Sequence, residues 1–181
     1  MKVPVFVMTA MTAGLLATLC FAAVESRISP KAMAAVEGLL NDKFRTGTGE
    51  PYDLLGTARC TYLEGYGALL SVELQLVYFN PPSPFRPSYS PQELVTMRER
   101  KLKQLPVLKT SMRSLMTSAA TTLDSVPGNE RISMDVRLWH YQWEDSRGLP
   151  SRVFMTAEKS KLLTAQANHT DLTTVIVEQE Q

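Results

Sequence analysis

Cys60, His140 and His169 are the residues whose types could carry group-transfer chemistry in this chain of 181 residues. A thiol nucleophile would need a histidine beside Cys60 to lower a pKa that starts at about 8.5. Strand alternation puts Cys60 and His140 on inward faces, without a flanking motif or an evident orienting carboxylate. Buried structural roles are the rule there, so the pair stands as the weaker, catalytic reading. His140 with Glu144, and His169 with Asp171, offer two ligands each, and on a strand neither spacing converges as it would on a helix; no metal is expected. No glycine-rich loop follows a strand and opens a helix, so nucleotide motifs are excluded and no cofactor is expected. Asn168-His169-Thr170 is a glycosylation sequon, which matters only in a eukaryotic secretory pathway.

A second chemistry is contact rather than catalysis. From Arg131 to Trp143, Ile132, Met134, Val136 and Leu138 alternate with Trp139, Tyr141 and Trp143 on the other parity, and His140 continues the apolar side. Three aromatics where a solvated sheet carries polar groups are either covered by another element or form a binding surface. Aromatics supply much contact area at little entropic cost, and Tyr62 and Tyr66 of an earlier hairpin are candidates to join them. The leading expectation is a non-catalytic binding module for an unknown protein or small ligand. A structural subunit of an envelope assembly is a further reading, with a proline-rich connector and a basic helix as its contacts.

The elements that must position these residues form an α+β sequence. Ser29 and Pro30 open a helix over 30–44 with Met33, Val36, Leu40 and Phe44 on one stripe. Strands over 54–63 and 67–79 meet at Glu64-Gly65-Tyr66-Gly67, a glycine-bearing hairpin turn. Leu70, Val72, Leu74, Leu76 and Tyr78 mark the core face of the second strand. The inward face of the first, Gly56, Ala58, Cys60 and Tyr62, is small enough for a helix to approach closely. Prolines 81, 82, 84, 87 and 91 make residues 80–91 an extended connector, in which Pro84-Phe85-Arg86-Pro87 reads as a stiff crossover rather than a ligand for an aromatic groove.

Ser90-Pro91-Gln92-Glu93 is a capping box that opens a long apolar stripe from Leu94 to Leu123. Pro106 lies inside it and predicts a kink or two abutting helices. Arg98, Arg100, Lys101, Lys103, Lys109 and Arg113 read as a solvated outer face, with an anionic lipid surface as the alternative. A second hairpin turns at 146–150 and returns over 153–157. A short helix over 158–167, a last strand over 172–177 and a frayed tail over 178–181 complete the order. Two hairpins joined in one antiparallel sheet, packed against the long helix and the N-terminal helix, are the expected architecture.

The N-terminus gives an address. Lys2 precedes an apolar run over 3–23, broken by Thr9, Thr12, Gly14 and Thr18, with small residues at its boundary. That pattern predicts a signal peptide over 1–22, cleaved after Ala22, and a single domain over 23–181 in the periplasm or outside the cell. Cleavage removes only Lys2 among the charges, leaving 18 basic against 18 acidic residues, a balance that does not suggest nucleic acid. Contact with a membrane is expected only through that segment. Cys60 then has no cysteine partner.

Tyr62-Leu63-Glu64-Gly65-Tyr66-Gly67-Ala68, Ser83-Pro84-Phe85 and Trp143-Glu144-Asp145-Ser146-Arg147-Gly148-Leu149-Pro150 resemble segments of uncharacterised secreted bacterial proteins, over about residues 52 to 165. The resemblance implies export and carries no activity or site residues. The element order also resembles the profilin-like architecture of the Roadblock family, which implies a sheet lying between helices.

Overall fold

The computed structural model describes residues 28–46, 50–80, 83–85 and 88–181. The proposed signal segment lies outside the described residues, as do parts of the proline connector. Three helices and one mixed sheet of six strands make an α+β fold. Among the described residues no helix is long and apolar enough to cross a membrane.

Helix α1, Pro30–Thr46, starts where Ser29 Oγ accepts from Ala32 N, and it buries Val36, Leu40 and Phe44. The first strand is interrupted: β1, Asp53–Leu54, and β2, Arg59–Leu63, both pair antiparallel with β3, Gly67–Gln75. Ala58 and Cys60 are buried beneath α1, as their small size allows. Two α1 side chains also close the outer border of β2: Asn41 Oδ1 accepts from Ala58 N and Glu37 Oε1 from Cys60 N, both at 2.9 Å. Those two amides are thereby withdrawn from pairing with another chain. The hairpin turn requires glycine. Gly67 has φ +125°, and a Cβ there would lie 1.9 Å from the Arg131 carbonyl oxygen.

Helix α2, Pro91–Thr122, has the full capping box, with Glu93 N donating to Ser90 Oγ and Ser90 N to Glu93 Oε2. It runs through Pro106 as one helix rather than two, because the proline sits on the exposed side, where water can reach the carbonyl it leaves without a helical donor. The helix carries the chain back across the sheet. Strand β4, Arg131–Leu138, therefore pairs parallel with β3, and the sheet is mixed rather than wholly antiparallel. Strands β5, Arg152–Glu158, and β6, Val177–Glu180, add antiparallel beyond β4.

Helix α3, Lys159–Ala167, and a single 3-10 turn, Leu172–Thr174, connect β5 to β6. The expected strand over 172–177 thus begins later, and the expected frayed tail is the last strand, held by Lys109 and Arg113 on Glu178. One sheet face, Cys60, Leu70, Met134 and Met155 in register across four strands, packs on the helices. Since α1 and α3 both contact α2, all three helices lie on that face. The alternative with a sheet between helices is not adopted.

Candidate functional site

Alternation overextended two strands. Strand β3 ends at Gln75; Val77 and Phe79 turn inward and Tyr78, expected in the core, is 57% exposed. Strand β4 ends at Leu138, so Trp139, Tyr141 and Trp143 lie on the loop to β5 rather than along a strand face, and His140 leaves the core face. Trp139 N donates to Leu74 O at 2.9 Å, and from there the loop folds over the N-terminal half of α2.

Two α2 side chains hold that loop. Arg98 Nε donates to Arg147 O at 2.9 Å. Lys101, only 2% exposed, donates to Glu144 Oε2, whose side chain is almost as deeply buried. His140 Nε2 lies 3.0 Å from Pro150 O. A carbonyl only accepts, so Nε2 carries a proton and donates, leaving Nδ1 as the other ring nitrogen. That Nδ1 has no hydrogen-bond partner and stands 4.0 Å from Glu144 Oε2, beyond hydrogen-bond range; Glu144 Oε1 is buried and unpartnered too. On the solvent side, donors of the Arg147 side chain and backbone, aided by Arg98, hold the Asp145 carboxyl well below the usual carboxylate range.

The aromatics gather against this anchor. Trp143 stacks on Tyr141 at 5.0 Å and 12°, and on Tyr89 at 5.0 Å and 23°. Tyr89, from the segment before α2, is also a wall of a groove of about 350 Å³ lined by Tyr78, Phe79, Asn80, Gln92, Thr96 and Arg100. Phe79 forms its apolar base, with the Arg100 guanidinium 5.1 Å and the Lys101 ammonium 5.9 Å from its ring centre. Trp139 remains half exposed.

Tyr62 and Tyr66 do not join this site. The Tyr62 hydroxyl donates to Glu130 Oε1, and the Tyr66 hydroxyl meets Ser133 Oγ on the opposite sheet face, tying the hairpin to β4. Cys60 and His140 are not brought together either. Cys60 is two strands from Met134 in register, and β4 runs a further ~13 Å before it ends at Leu138. Burial, with Glu37 nearby, pushes the Cys60 thiol up to about 11, the opposite of an activated nucleophile. Among the described residues no group of three His, Cys, Asp or Glu could hold a metal.

Of the six basic residues read as a solvated outer face, Lys101 is buried instead, Arg98, Arg100, Lys109 and Arg113 keep part of their side chains in solvent, and Lys103 is exposed. Arg98, Arg100, Lys101, Lys109 and Arg113 are all ion-paired to carboxylates of other segments. Lys101 carried a signal that charge alone obscures: it stands four residues from both Met97 and Leu105, inside the apolar stripe. Tyr89 had no comparable mark, alternation assigns Tyr78 to the core, and Glu144 is marked only by its spacing from His140. No family model matches the chain, and neither a curated protein nor a solved structure matches it.

Proposed function

We propose that the chain is an exported, non-catalytic binding module. Its contact surface is the groove at the N-terminal end of α2, together with the exposed Trp139 of the β4–β5 loop. The observation that carries the reading is the stack of Trp143 on both Tyr141 and Tyr89, which joins two aromatics of the β4–β5 loop to one from the segment before α2. Concave shape, aromatic walls and a few convergent polar groups are what ligand sites share. Export rests on the Lys2-led apolar run and its small-residue boundary, and the likeness to secreted bacterial proteins points the same way.

Both tryptophans of the chain, Trp139 and Trp143, lie on this loop, so intrinsic emission reports on this region alone. A ligand is expected to shift that emission, and Tyr78→Ala with Trp139→Ala to weaken it by about tenfold. Binding that leaves emission unchanged and is indifferent to both substitutions would overturn the surface. N-terminal sequencing of protein from the envelope fraction is expected to begin at Ala23; a cytosolic chain beginning at Met1 would overturn export.

A further inference from the structure

We infer that the groove takes a neutral saccharide, either a free pyranose or the end of an oligosaccharide. This rests on the binding reading above and adds the ligand class. A volume of about 350 Å³ is at the small end for ligand sites, which suits one or two rings rather than a folded partner.

Three features of the lining select the class. First, the tyrosines offer ring area. The Tyr78 hydroxyl donates to Asn80 Oδ1 at 2.9 Å, and the Tyr89 hydroxyl to the Asn80 carbonyl. With both phenol tips tied to one residue, the rings are held in fixed orientation, and their electron-rich faces suit the C–H face of a sugar ring. Second, the α2 wall presents Gln92 and Thr96, both exposed and one turn apart. The Gln92 amide both donates and accepts, as sugar hydroxyls do, and Thr96 Oγ1, which donates to the Gln92 carbonyl at 3.0 Å, still accepts.

Third, the charges are already matched. Arg100 forks onto Glu50 through Nε at 3.1 Å and Nη2 at 2.8 Å, and Glu93 is committed to the capping box. An anion would have to compete with Glu50 for Arg100, and a cation would meet Arg100 itself. An extended peptide lacks a strand to pair with, because β3 has ended at Gln75 before the groove begins.

The test is an NMR titration of isotope-labelled protein with maltohexaose, cellohexaose and N-acetylchitohexaose at millimolar concentration, with inorganic phosphate and a mixed-sequence peptide as comparison arms. At least one saccharide is expected to shift Tyr78, Thr96 and Met97 together, and Tyr78→Ala to weaken it by about fivefold to tenfold. The exposed position of Tyr78 leaves the fold intact, which thermal unfolding checks. Silence from all three saccharides, or shifts that Tyr78→Ala leaves unaltered, overturns the saccharide. If phosphate or the peptide moves the groove while the sugars do not, the sugar class falls and the binding surface stands. Perturbation confined to another face overturns both.

Discussion

The two ends of α2 are each held by a buried lysine, and they are held differently. At the C-terminal end, Lys159 Nζ donates to the carbonyls of Leu123, Asp124 and Val126 at 2.7, 2.8 and 2.7 Å. All three ammonium protons are used on the carbonyl-rich end of the helix, where a cation is favoured. At the other end, Lys101 neutralises Glu144 but leaves Glu144 Oε1 and His140 Nδ1 without partners. One end is saturated. The other retains unmet hydrogen-bonding capacity, and there the aromatic groove forms.

Breaking either end tests the contrast. Lys101→Met strands the Glu144 carboxylate and is expected to cost about 3 to 5 kcal/mol in chemical denaturation. Adding Glu144→Met should recover most of that, because an apolar pair of similar volume replaces the ion pair. Equal stability of the single and double variants would contradict the buried pair. Lys159→Met leaves carbonyls at the helix end unmet and is expected to cost about 2 to 3 kcal/mol. It should leave ligand-induced Trp emission changes intact, whereas Lys101→Met should abolish them.

The smaller effects sharpen the same picture. Burial pushes the Glu178 pKa up, but Lys109 and Arg113 outweigh it and hold it below its ordinary value of 4.5. A depressed folded pKa means the stabilisation is present above 4.5 and is lost as pH falls below it. Amide exchange in β6 should therefore accelerate on acidification, by no more than about 1 kcal/mol for partly exposed pairs, with the core of β4 unaffected. Glu178→Gln should remove that pH dependence. Trp139→Ala, at an exposed loop position, should change stability by no more than about 0.5 kcal/mol while weakening the ligand.

What could be read from the sequence was what local chemistry determines. The capping box of α2, the glycine turn at 65–67, the stripe of α1 and the inward face of β3 through Leu74 depend on neighbours within a few residues, and all are present. The parallel pairing of β3 with β4 depends on where a 32-residue helix delivers the chain. Period-two spacing of Trp139, Tyr141 and Trp143 imitates a strand, yet contacts from Leu74, Arg98 and Lys101 bend those residues into a loop. Tyr141 and Trp143 stack on one another, Trp139 stays half exposed outside that stack, and Tyr62 and Tyr66 were claimed by Glu130 and Ser133. No periodicity could assign those partners, because they are far away in the chain.

The caps that Glu37 and Asn41 place on β2 leave β6 as the last strand at the opposite border among the described residues. A second strand laid against the β2 border would find two of the donors it needs already spent, so the helix that packs over the sheet also keeps its seam from being extended there.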